Sequence, residues 1–260
     1  MSSRQLIQRR PANLIIALTM SLTLLTKAAA TQAEPAHSNT STTDVLTPYT
    51  ANYTASHSSI PISGNAQRTL TQLENGHYQL KQTASAFVAT ITETSEFQLV
   101  DGNIQPQNYQ YNRSSFGKQK ATQMTFNWAA KQVTGTHKKD AFRLKVDTGR
   151  QDPLSYQLVL REKLKQLMAG KLANDKIEIS LVDKDELESH TYAILGAETI
   201  STPAGNFDCL KLKRIRKDGK RETTIWFAKA HQLLITKILQ KGKDGKTYEL
   251  ALKDFKFSNN

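Results

Sequence analysis

The chain has 260 residues, a single cysteine, and a formal charge of +12 from 35 Lys+Arg against 23 Asp+Glu. One cysteine excludes an internal disulfide framework and a thiolate zinc cluster, so stability has to come from an ordinary packed core. The basic excess comes without aromatic interleaving or a recognition helix, which argues against nucleic acid as its partner.

The chain opens with Arg4, Arg9 and Arg10, an apolar run from Ala12 to Leu25, and then the small residues Ala28, Ala29, Ala30 and Ala33. Basic, apolar and small residues in that order make a secretory signal peptide. The run falls short of the roughly 20 apolar residues of a spanning helix, and Thr19, Ser21 and Thr23 interrupt it. We therefore expect residues 1–33 to be a signal peptide, with an uncleaved anchor as the alternative, and the mature protein to be periplasmic and monomeric. Cys209 stands far from that cleavage site, so no thiol is placed for lipid attachment; it reads as a small buried hydrophobe. Residues 34–47 (EPAHSNTSTTDVLT) are polar and aperiodic, a disordered lead-in to a single β-rich domain over 48–257.

Period-2 alternation with β-branched and aromatic enrichment marks strands at 49–55, around 78–80, 87–100, 109–111, 124–128, 132–137 and 142–146. Asp101-Gly102 supplies a turn between two of them. The next segment changes period: Asp152-Pro153 is followed by Leu154, Leu158, Arg161, Leu164, Leu167 and Met168, and then Gly170. A cap, a proline at the first helical position, an i, i+3/i+4 stripe and a closing glycine predict an amphipathic helix over about 152–169. Strands resume at 177–181, 191–195, 209–216, 222–227, 233–239 and 247–257, with Asp218-Gly219 as a hairpin turn. A lone helix among a dozen strands must lay its stripe on a sheet. The expected fold is thus α+β and mainly β, a curved antiparallel sheet or half-open β-barrel packed on that one helix.

Residues 34–135 carry six charges of each sign, so the basic excess of the mature chain lies in 136–260. It is densest at Lys211, Lys213, Arg214, Arg216, Lys217, Lys220 and Arg221, with Asp218 the only acid between them. That hairpin suits an anionic envelope component such as lipid headgroups, although it also reads as the solvated tip of a hairpin.

Chemistry is harder to find. The six histidines sit singly, without a ligand-spaced pair, so neither a metal site nor a cofactor is expected. No G-x-S-x-G elbow is present, and Ser115-Phe116-Gly117-Lys118, which matches S-x-x-K, lacks its companion motifs. The cluster Gly149-Arg150-Gln151-Asp152 reads first as a structural turn and helix cap. Trp128, Trp226, Phe126, Phe227, Tyr109 and Tyr111 alternate along strands; core packing is their default role, and lining an apolar ligand cleft is the functional one.

Taken in order, Tyr49 to Tyr53, Pro106 to Tyr111, Phe126-Asn127-Trp128, Gly149 to Asp152 leading into Leu154 and Ser155, Thr202 to Phe207 and Trp226-Phe227-Ala228 resemble an exported bacterial family, domain of unknown function number 3108. The resemblance runs from Tyr49 to Phe257. It implies a curved antiparallel sheet or half-open barrel in the Gram-negative periplasm, and it implies no activity. By fold analogy alone, that architecture is similar to the periplasmic lipoprotein carriers, whose concave face holds acyl chains. The functional expectation is a non-enzymatic binding module holding a lipid or other apolar ligand. An envelope-assembly or protein-interaction factor using the 211–221 hairpin is the alternative, and an envelope-polymer hydrolase a more distant one.

Overall fold

A computed structural model describes residues 46–258, apart from 87, 217, 218 and 220. The expected signal peptide and nearly all of the lead-in lie outside the described residues. Leu46, placed in the lead-in by sequence, is buried in the core.

The first meander comprises β1 (Tyr49–His57), β2 (Ile60–Gln72), β3 (Tyr78–Ala86), β4 (Ala89–Val100), β5 (Asn103–Ser115), β6 (Lys118–Asn127), β7 (Gln132–His137) and β8 (Asp140–Lys145). After α1 (Tyr156–Met168), a second meander comprises β9 (Lys176–Asp183), β10 (Glu186–Thr202), β11 (Gly205–Ile215), β12 (Arg221–Ala228), β13 (Leu234–Gly242) and β14 (Thr247–Phe257). β14 pairs antiparallel with β1, which joins the two meanders into one curved, unclosed 14-stranded sheet. The open seam therefore falls in mid-chain, between β8 and β9, where α1 crosses. The expected fold class holds.

Local chemistry accounts for the seam. Gln151 N–H donates to Ser180 O and Gln151 O accepts from Val182 N–H, both at 2.9 Å, stitching the segment before the helix onto β9. The Gln151 side-chain amide donates to Ile104 O of β5 at 3.0 Å, so one residue ties β9 to the first meander. The edge strand β8 carries Asp140, Arg143 and Lys145, charges that discourage further strand pairing.

The helix starts later than the sequence suggested, at Tyr156 rather than Asp152. The Asp152 carboxylate accepts the N–H groups of Leu154 and Ser155 at 2.7 and 2.8 Å, which holds a tight turn ahead of the first helical residue. The end is as expected: Gly170 has φ +69°, and Lys171 N–H donates to Gln166 O while Gly170 N–H donates to Leu167 O, a Schellman motif. Leu154 and Leu158 enter the larger core cluster with Tyr49, Leu80 and Phe97, whereas Leu160 and Leu164 enter a second one with Tyr192, Leu212 and Phe227. At about 2 kcal/mol per buried leucine, these contacts hold the helix against the sheet.

Strand β2 has no counterpart in the sequence reading. Its inward positions are Ala66, Arg68 and Leu70, and the buried Arg68 breaks the apolar alternation. Gly64 is there because a Cβ would stand 2.4 Å from Ser85 O on the paired strand. Cys209 is fully buried, as expected.

Candidate functional site

The register places a polar row across the inward face of the first meander. Arg68 is opposite Gln82, Gln82 opposite Glu93, Glu93 opposite Tyr111, Tyr111 opposite Thr122, and Thr122 opposite His137. Each member occupies a position where its strand otherwise presents core residues, such as Leu70, Leu80, Phe97, Met124 and Val133. Partners within the row satisfy much of its polarity: Arg68 donates to Gln82 Oε1, and Thr122 Oγ1 lies 2.9 Å from His137 Nδ1. The Tyr109 hydroxyl donates to Glu93 Oε1 at 2.6 Å.

At the far end of this row lies a cavity of about 530 Å³, whose walls include Glu93, Tyr109, Tyr111, Thr122, His137 and Pro153. Arg113, Lys120, Lys138 and Lys184 contribute to the lining together with Asp183, and all four of these cations are exposed, giving the mouth a basic rim. Burial pushes the Glu93 carboxyl up to about 7, reinforced by the neighbouring Asp152 and Asp183 and opposed by the Tyr109 hydrogen bond and Arg68. Burial also holds the Tyr109 and Tyr111 hydroxyls above their ordinary value, so both stay protonated donors at neutral pH. Asp152, fully buried behind the cavity, accepts Ser95 Oγ at 2.5 Å and is pushed up by burial as well. The site can therefore offer neutral hydroxyl donors, aromatic surface, one carboxyl poised near neutrality, and cations at the entrance.

Of the aromatic residues expected to line a cleft, Tyr109 and Tyr111 line this cavity and the other four do not. Phe126 and Trp128 stack on each other with centroids 5.5 Å apart, and Trp128 Nε1 donates to Pro106 O. Phe227 is fully buried in the second core cluster. Trp226 packs between the Lys211 and Lys237 ammonium groups, at 5.4 and 5.7 Å from its ring, and donates Nε1 to Glu198.

The basic hairpin is less bare than its sequence suggests. Lys211 pairs with Glu198 at 2.8 Å, Lys213 with Glu222 at 3.1 Å and Arg214 with Glu188 at 3.5 Å. Arg216 is half-buried, Arg221 is exposed, and Lys217 and Lys220 lie outside the described residues. Sequence reasoning missed Arg68, Glu93, Thr122 and His137 because they converge from separate strands. The available signal was a polar residue at an inward-facing position of an alternating strand. Among the described residues, no group of three His, Cys, Asp or Glu side chains could hold a metal ion. No helix among them is long and apolar enough to cross a membrane.

A half-open antiparallel barrel, plugged by one helix and carrying a mixed polar and aromatic cavity, defines a β-barrel-like class. Within it, the chain belongs to the family described as protein of unknown function (DUF3108), whose profile matches residues 49–251. Among solved structures, it is similar to a β-barrel-like protein of domain of unknown function DUF1849 from Brucella abortus, at 12% identity and a TM-score of 0.57, covering 82% of this chain and 99% of that one. It also matches a porin-like protein from Bacteroides uniformis at 9% identity and a TM-score of 0.32, covering 82% and 98% of the two chains. A DUF1329 family protein from Desulfovibrio piger matches at 10% identity and a TM-score of 0.30, covering 83% and 88%. The first likeness speaks to the fold alone. No curated protein matches the chain.

Proposed function

We propose that the protein is an exported, non-enzymatic binding module of the bacterial envelope, which holds a small anionic amphiphile in the cavity beside Glu93. The observation that carries this reading is the composition of the cavity: tyrosine surface inside, basic side chains at the rim, in a volume of about 530 Å³. Pockets of several hundred Å³ suit small ligands. The apolar part of such a ligand would lie against Tyr109 and Tyr111, and its anionic end would meet Arg113, Lys120, Lys138 and Lys184. The N-terminal signal-like segment supports export to the periplasm. The proposal narrows the expected lipid site, because α1 and the two core clusters occupy much of the concavity. The internal pairing of Lys211, Lys213 and Arg214 weakens the alternative in which the 211–221 hairpin recruits a protein partner.

Isothermal titration with 1-octanesulfonate, and with octyl glucoside as its uncharged counterpart, tests the reading. Saturable binding of the sulfonate, weaker binding of the glucoside, and loss of both on Tyr111→Ala are expected. Absence of saturable binding, or an unchanged affinity in Tyr111→Ala, overturns it.

A further inference from the structure

Up-and-down connectivity sends alternate hairpin tips to opposite ends of the sheet, and the two ends differ in chemistry. The β1–β2, β3–β4, β5–β6, β7–β8, β9–β10, β11–β12 and β13–β14 hairpins all turn at one end. Of the eight large apolar side chains exposed among the described residues, five lie at or next to those turns: Val88, Phe116, Leu187, Ile215 and Tyr248. The same end carries Lys118, Lys120, Lys138, Lys139, Lys241 and Lys243, all exposed and without an ion pair among the described residues; the unpaired acids there are Asp140, Asp185 and Glu186. At the opposite end, the connections carry Glu74, Asp101, Asp147 and Asp175 against Lys131, Arg150 and Lys171, and Lys229 there is paired with Asp208.

Phe116 is the most informative of these residues. It is 77% exposed and has φ +49°, while Gly117 follows at φ +74°. Two successive positive-φ residues in a two-residue hairpin loop suit Asn-Gly, and a bulky side chain is strained at the first of them. Neither packing among the described residues nor backbone preference accounts for a phenylalanine there. Phe116 directly follows β5, and Ser115 beside it pairs with Ala89 at the start of β4, so Val88 is close at hand. The cavity reaches this end too, since Lys120, Lys138 and Lys184 line it.

We infer that this end of the sheet docks on an anionic lipid surface, with Phe116 and the neighbouring apolar tips entering the headgroup layer and the unpaired lysines meeting lipid phosphates. Exposed apolar side chains ringed by lysine are the two ingredients of such reversible attachment. Charge complementarity selects the occupant, because unpaired cations outnumber unpaired acids at the end where the apolar tips project and do not in the connections at the opposite end. The inference goes beyond the cavity reading and stands without it, although docking here would bring the basic rim to a source of anionic amphiphiles.

Co-sedimentation of the protein with vesicles of phosphatidylglycerol and phosphatidylethanolamine, compared with pure phosphatidylcholine, provides the test. Binding to the anionic vesicles alone, weakened by salt, is expected. Phe116→Asn removes the apolar tip yet suits the backbone, so partitioning should fall roughly tenfold while the thermal midpoint holds or rises. Lys118→Glu, Lys139→Glu and Lys243→Glu combined should abolish sedimentation. None of these residues lines the cavity, so octanesulfonate binding should be unchanged in both variants, which separates failure here from failure of the cavity reading. Equal binding to both vesicle types, no binding, or an unchanged partition in Phe116→Asn overturns the inference. Preference for soluble dextran sulfate over the anionic vesicles does so as well, in favour of a polyanionic polymer.

Discussion

Replacing Glu93 with Gln should change how stability depends on pH. Burial raises the Glu93 carboxyl from 4.5 to about 7, so the folded protein holds this proton more tightly than the unfolded chain does. Between those values the native state binds more proton than the unfolded state, and stability falls as pH rises. The contribution is fully present below about 4.5 and lost once pH passes about 7. At about 1.4 kcal/mol per pH unit, that interval corresponds to at most about 3.5 kcal/mol, less whatever cavity water screens. Glu93→Gln keeps an oxygen to accept the Tyr109 hydroxyl and has no proton to lose. Urea unfolding of both proteins across the window should therefore show a wild-type midpoint that declines relative to the variant, with the variant the more stable above neutrality. The difference between the two curves isolates Glu93, because two other buried groups titrate in both proteins: Asp152, pushed up by burial, and His190, pushed down by it. Parallel curves would refute the assignment of Glu93 as a buried, poised carboxyl.

Two further substitutions probe the frame that holds the site. Asp152→Ala removes the acceptor for Leu154 N–H, Ser155 N–H and Ser95 Oγ, and although it also relieves a buried carboxylate, a net loss of about 2 kcal/mol is expected in denaturant unfolding. Gly135→Ala would set a Cβ 2.0 Å from Gln123 O of the neighbouring strand and 2.8 Å from the Phe142 ring, so it should cost at least about 2 kcal/mol in thermal unfolding or prevent β6–β7 pairing.

Most of the strands were legible in the sequence because alternation on a half-buried sheet is a local pattern. Gln132 to His137, for instance, shows it over the length of β7. Where an inward residue is polar the pattern fails, which is why β2, with Arg68 facing the core, escaped notice. The helix was legible from its stripe and from Gly170, but its start was displaced, because the Asp152 carboxylate can hold a turn as readily as a first helical turn. The aromatic residues were legible as important but not by role: alternation tells that Phe126 and Trp226 face opposite ways from their neighbours without telling which face carries a cavity.

By itself, then, the sequence determined the class of the molecule: a basic chain with many antiparallel strands and one amphipathic helix. Those properties depend on neighbours a few residues apart, and residue order records them directly. The polar row from Arg68 to His137, the cavity at its end and the gathering of seven hairpin tips at one end were decided only by tertiary structure. Each depends on strand register and on the pairing of β14 with β1, which bring together side chains that no local pattern links.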